Sequence, residues 1–199
     1  MHFNPKKDVA TLVVFVFAAV SWFYAFSLYE RHELNIFLFI GEWVEDVVFD
    51  YRLVEMRMQN KVEALPIPVY DVLLKDVDDS WGVARTEGRT HEGTDIFASY
   101  GTPVFSVTDG YVVNTYFGHR GGNNVMVFGP GGMYYYYAHF ERLAANVERG
   151  MKVSPDTVLG YVGTSGNAEG TPPLLHFGIY TRPWDAINPY PFFVDRWDR

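Results

Sequence analysis

From Tyr70 onward the chain consists of short runs rich in Val, Tyr, Phe and Ile, each cut off within a few residues by Gly, Pro or an Asn or Asp turn. Short segments enriched in β-branched and aromatic side chains and bounded by such breakers read as strands. The predicted strands cover residues 95–98, 103–108, 111–116, 124–128, 133–139, 157–162 and 174–180. Asp109-Gly110 and Gly131-Gly132 suit hairpin turns. Asn123 and Asn124 read as turn residues, and residues 141–145 read as one helical turn. The fold expected for residues 70–199 is therefore mainly β.

The first part of the chain follows other rules. Residues 9–29 are apolar apart from Thr11, Ser21 and Ser27. About twenty such residues at ~1.5 Å each cover a hydrocarbon core of ~30 Å, which predicts a transmembrane helix. Lys6 and Lys7 precede it, whereas Glu30, Arg31 and Glu33 follow with no positive excess. That asymmetry puts a tail of residues 1–8 in the cytoplasm and the rest of the chain outside a cytoplasmic membrane. Trp22, Tyr24 and Tyr29 gather at the far end, where amphipathic rings favour the interface. Tyr24-Ala25-Phe26-Ser27 makes a poor cleavage site, so an uncleaved anchor is expected rather than a signal peptide.

Residues 30–64 read as a juxtamembrane stalk, helical over 34–63. Phe37, Ile40, Val44, Val47, Tyr51, Val54 and Met58 follow one another at spacings of three and four, the seam of a heptad repeat. Such a seam suits a homodimeric coiled coil, a helix packed on its own domain, or a helix lying on the bilayer through Ile36, Phe37, Leu38 and Phe39. Pro66 and Pro68 cannot continue a helix, which predicts a linker at 65–69.

The formal net charge of -8, with no Lys/Arg cluster, excludes a nucleic-acid binder, because phosphate contacts need concentrated positive charge. The absence of cysteine removes disulfide frameworks and thiolate metal sites. Metal chemistry is left to Arg89-Thr90-His91-Glu92-Gly93-Thr94-Asp95 and the distant His176. His91-Glu92 resembles the opening of a helical His-Glu-x-x-His motif, but the fifth position is Asp95, and Gly93, Thr90, Thr94 and Ile96 disfavour a helix. On an extended chain, residues four apart face the same side, so His91 and Asp95 reach one site without a helix. With His176 they offer the N, O and N donors that a catalytic zinc accepts while its fourth position stays open.

The run from Gly88 to Ala98, then Gly101-Thr102-Pro103-Val104, Tyr136-Tyr137-Ala138-His139-Phe140, Gly160-Tyr161-Val162-Gly163 and the stretch from Gly166 to Tyr180 resemble, in order, the lysostaphin/LytM-type zinc metallopeptidases. The resemblance spans roughly residues 80–180. It implies an antiparallel domain of the barrel-sandwich-hybrid (duplicated hybrid motif) kind, a Zn2+ held by His91, Asp95 and His176, and hydrolysis of the peptide part of bacterial peptidoglycan. His139 matches one of two non-ligand histidines that assist catalysis. The other, the first histidine of a His-x-His, is Leu174 here. Leucine neither accepts a proton nor donates a hydrogen bond.

The apolar run at 9–29 together with the resemblance leads to the expectation of a membrane-anchored zinc endopeptidase of reduced activity, with His139, or alternatively Glu169 or His119, covering the missing base. An inactive module that binds cell wall or regulates a hydrolase is the alternative, and a scaffold with a structural zinc is another. Arg89 suits either a ligand-orienting role or a surface ion pair. One pair of residues 134–137 is expected to line a groove while the other fills the core. The Gly/Pro-rich loop 164–173 is expected to wall a cleft.

Overall fold

The structure, a computed structural model, describes residues 18, 19, 21, 22, 36–85, 88–182 and 185–196. The expected span at 9–29 and its flanking charges lie almost wholly outside these residues, although Ala18, Ala19, Ser21 and Trp22 are helical. Among the described residues no helix is long and apolar enough to cross a membrane.

The chain divides into two compact units, Met1–Glu55 and Met56–Arg199. Among the described residues helix α1 covers Ile36–Met58, so it ends before the residue 63 expected. The prolines do not end it, since Pro66 lies eight residues further on. Its last turn tightens through a Gln59 N–H to Met56 O bond, and the chain then runs under Gly131. A Cβ on Gly131 would stand 2.8 Å from Lys61 Cα, and its φ of 73° suits glycine. Among the described side chains of α1, Phe49 and Met56 are buried, whereas Val44, Val54 and Met58 of the heptad seam are exposed.

Eleven strands follow among the described residues: β1 (Leu65–Pro66), β2 (Thr94–Phe97), β3 (Pro103–Phe105), β4 (Gly110–Gly118), β5 (Gly122–Gly129), β6 (Met133–Leu143), β7 (Lys152–Val153), β8 (Val158–Val162), β9 (Leu174–Arg182), β10 (Asp185–Ile187) and β11 (Phe193–Val194). Nine of them form one antiparallel sheet along the path β10-β9-β6-β5-β4-β7, with β2 on β9, β8 on β6 and β3 on β8. β9 gives one edge to β2 at 174–177 and to β10 further along, and its other edge to β6. The mainly β reading holds, and all seven expected strands are present.

Four local expectations are corrected. Residues 141–143 are not a helical turn but the end of β6, held by β8 through Arg142 opposite Tyr161, with the guanidinium stacked over that ring. Asn123 and Asn124 lie in β5. Asn124 is fully buried, and Asn123 Nδ2 donates to Glu141 O. Asp109-Gly110 joins β3 to β4, which do not pair with each other, whereas Gly131-Gly132 does close the β5–β6 hairpin. Residues 65–69 are not a free linker. Leu65, Ile67 and Val69 are at most 1% exposed, and β1 pairs in parallel with β11.

One face of the sheet is the core. Tyr135 and Tyr137 of β6 stand opposite Val127 and Val125 of β5 and opposite Ile179 and Phe177 of β9. All six are at most 1% exposed. The Tyr137 hydroxyl accepts the Val107 N–H, so its burial leaves no orphan oxygen. Alternation then puts Tyr136, Ala138, Leu174, His176 and Tyr180 on the other face.

The C-terminal strap is fastened by Arg196, whose guanidinium donates to Ile67 O, Pro155 O and Ser106 O and lies over the Phe105 ring. Hydrogen bonds from a charged donor contribute ~1.5–3 kcal/mol each, without strict additivity. We expect Arg196→Ala to lower unfolding free energy by at least ~2 kcal/mol in urea titration. Arg196→Lys should recover only part, because one ammonium cannot span three carbonyls. An unchanged midpoint for Arg196→Ala would remove the strap from the account of stability.

Candidate metal centre

Antiparallel pairing of β2 with β9 puts Asp95 directly opposite His176, and such partners share a face. His91 stands three residues ahead of β2, clipped to the upstream chain by Gly82 N–H to His91 O and His91 N–H to Val83 O. It reaches the same point. His91 Nε2, Asp95 Oδ1 and His176 Nδ1 form a triangle with sides of 2.9 Å between the histidines and 3.0 Å from each to the carboxylate. Gly93 makes room for this, since a Cβ there would stand 2.6 Å from the His176 ring.

Ser80, which the sequence alone does not single out, holds the triangle twice. Its carbonyl lies 2.7 Å from His91 Nδ1, and its hydroxyl accepts the Asp95 N–H at 3.0 Å. A carbonyl only accepts, so Nδ1 carries the proton and the neutral His91 ring keeps its Nε2 lone pair for the site. Burial works to raise the Asp95 carboxyl, but the imidazoles of His176 and His91 beside it outweigh burial and hold the group well below the usual carboxylate range. Arg85, also not singled out by its sequence, places Nη2 on the other Asp95 oxygen, Oδ2.

The residues fit a metal on this observation. Three lone-pair atoms crowd within 3.0 Å of one another in a largely buried place, where protons alone cannot satisfy every pair. A cation bound by two imidazoles and a carboxylate meets that need, and the N, O and N donor set is one zinc accepts.

His139 lies beside the triangle, its ring 6.0 Å from that of His176. On β6, residues 134–138 pair with β9, whereas Phe140 and later residues pair with β8. His139 is the residue between, at a register shift and with φ 68°, in the left-handed region. A bulge of this kind re-aims a side chain. Its N–H donates to Gly121 O and its Nδ1 to Ser165 O at 2.8 Å, leaving Nε2 as the acceptor of the neutral ring. Burial lowers its pKa from the ordinary 6.5, against the opposing pull of the Ser165 carbonyl.

These groups line a cleft of about 700 Å³. Leu174 lines it too, 7% exposed and on the same face as His176. Of the candidate substitutes for the missing base, His119 lines the cleft, while Glu169 is exposed and is not among its walls. Arg89 lines it as well. Of residues 134–137, Tyr136 faces the cleft, edge-on to His176, while Tyr135 and Tyr137 fill the core. Asn167, Ala168 and Thr171 form the wall expected of the 164–173 loop.

A β-sheet cleft holding a His, Asp and His triangle beside a bulged histidine defines a metallopeptidase-type centre. Residues 89–189 match the family model of Peptidase family M23, and the chain belongs to that family, whose members are zinc metalloendopeptidases. It is 39% identical over 130 residues to the L-Ala–D-Glu endopeptidase of Bacillus subtilis, covering 60% of this chain and 40% of that protein. To the glycyl-glycine endopeptidase ALE-1 of Staphylococcus capitis it is 33% identical, over 53% of this chain and 29% of that protein. The chain therefore spans two fifths or less of these relatives' length. Among solved structures, LytM of Ruminococcus gnavus aligns with TM-score 0.55 and 34% identity, over 79% of this chain and 70% of that one. The catalytic domain of lysostaphin from Staphylococcus simulans aligns with TM-score 0.52 and 27% identity, over 60% and 93%.

The His139 environment has a sign that can be checked. Between its lowered folded pKa and 6.5, the unfolded chain binds more protons than the folded one, so this group makes stability fall as pH falls through that window. In metal-free protein we expect the His139 ring to titrate by NMR below 6.5, and His139→Gln to flatten this part of the acid-side loss. A ring that titrates at or above 6.5 would contradict the buried, singly hydrogen-bonded state.

Proposed function

We propose that this chain is a membrane-anchored zinc endopeptidase that cuts the peptide cross-links of bacterial peptidoglycan, slowed by Leu174 where a second histidine would assist. The donor triangle beside the free Nε2 face of His139 carries this reading. The name of one relative, the peptidoglycan DD-endopeptidase ShyA of Vibrio cholerae, supports the substrate class.

His91, Asp95 and His176 would hold the zinc, His91 through Nε2, Asp95 through Oδ1 and His176 through Nδ1. When bound, zinc supplies Lewis acidity that acidifies water and polarises a carbonyl. His139 Nε2 accepts a proton from the attacking water, and the imidazolium so formed returns one to the leaving amine. Burial of His139 favours its neutral, proton-accepting form. Leu174 supplies no proton path and presents only an apolar wall. One positioned acid–base group typically contributes ~10²- to 10⁴-fold, so the site keeps part of its rate and loses the rest.

The apolar run at 9–29 anchors the chain in the cytoplasmic membrane, with the β unit on the outer side. Exposure of Val44, Val54 and Met58 on α1 suits self-association through the heptad seam. Leu174 also favours a second reading, a cell-wall-binding or hydrolase-regulating module without activity.

The 199-residue chain, loaded with zinc and incubated with purified peptidoglycan, should release new amino groups, and His91→Ala should abolish both zinc uptake and release. Leu174→His should raise release at least ~10²-fold. Stoichiometric zinc with no release from either the wild type or Leu174→His would favour the second reading. Sedimentation as a monomer at micromolar concentration would end the self-association part.

A further inference from the structure

We infer that Arg85 is a positioning residue of the metal centre. It clamps Asp95 Oδ2 so that Oδ1 is the oxygen left to the metal. The inference rests on the metal-site reading above and goes beyond its ligands, because Arg85 lies upstream of the family-matching residues 89–189.

Arg85 is delivered by a short arch of backbone. Gly82 and Val83 bond to His91, Ala84 bridges Thr90, and the Arg85 N–H donates to Arg89 O at 2.9 Å. The arm that carries Arg85 is thus tied to the arm that carries the first ligand. Arg85 Nη2 meets Asp95 Oδ2 at 2.5 Å, whereas the triangle uses Oδ1, 3.0 Å from both histidine nitrogens. The two oxygens of one carboxylate have separate partners.

A carboxylate needs that separation. Its terminal torsion is broad, and its two oxygens are chemically equivalent. The Ser80 hydroxyl holds the Asp95 backbone, not its carboxylate. Arg85 supplies the hold on the side chain, and a guanidinium does so with directional N–H groups that stay charged at any working pH. Because Arg85 contacts the oxygen that the triangle does not use, it supports the site rather than competing for it. Ligating carboxylates are commonly held by such an outer hydrogen bond, and loss of that partner typically weakens metal binding ~10- to 100-fold.

The test titrates the metal-free 199-residue chain with zinc against a chromophoric chelator. Arg85→Ala should bind zinc ~10- to 100-fold more weakly than the wild type. Arg85→Lys should fall between them, since an ammonium restores charge but not the planar fork. Thermal unfolding of metal-free Arg85→Ala should match the wild type, because the Arg85 side chain is 38% exposed. Unchanged zinc affinity in Arg85→Ala overturns the proposal while leaving the metal site intact. Tighter binding overturns it in favour of a competing cation. A wild-type chain that takes up no zinc overturns the metal-site reading and this proposal together.

Discussion

The register between β2 and β9 is the constraint on which the site depends. Asp95 and His176 are 81 residues apart in sequence and meet only because one stands opposite the other across two antiparallel strands. A slip of one residue would turn every side chain of β2 to the wrong face. The alternation of the strands forbids it. Ile96 on β2 and Leu175, Phe177 and Ile179 on β9 are all at most 1% exposed, and a slip would trade this burial for polar groups in the core. The donor side chains of the triangle are therefore aligned by their apolar neighbours, and the geometry of the cleft is specified by packing on the opposite face.

The two positions where histidines would flank the metal show different kinds of control. His139 is set by backbone strain, a left-handed residue where β6 changes partner from β9 to β8. Such a conformation persists only where the surroundings over-determine it, and here the Gly121 and Ser165 carbonyls do so. Leu174 makes no such demand. It lies in regular β9, paired with Phe97, and its N–H bonds to Gly163 O as any residue's would. Leucine at 174 therefore sits in the scaffold as regular β structure allows. Nothing in the fold selects against it.

Much of this was legible in the sequence. Strands β6 and β9, which carry His139 and His176, have long alternating runs, and the three donor residues sit in motifs whose residue types leave few other uses. Two kinds of feature were not legible. Strands β1, β7, β10 and β11 are two or three residues long, too short for any periodicity to show. Asn123 and Asn124 have turn-like side chains, yet both lie inside β5, where Asn123 Nδ2 donates to Glu141 O across the sheet and Asn124 Nδ2 donates locally to Gly122 O. Residues 65–69 carry two prolines and read as a linker. Burial of Leu65, Ile67, Pro68 and Val69 makes them part of the core, and Pro66 is tolerated in β1 because that is a short edge strand.

Ser80 and Arg85 escaped notice for a further reason. Their contributions are a carbonyl, a hydroxyl and a guanidinium aimed at the ligands, and no residue pattern announces a backbone carbonyl as a functional group. Yet the triangle's competence rests on them. Without the Ser80 carbonyl, His91 could carry its proton on Nε2, the atom the site needs bare. The ligands alone do not distinguish a poised centre from three nearby polar side chains. The arch that precedes them makes that distinction, by fixing which nitrogen of His91 and which oxygen of Asp95 face the cleft.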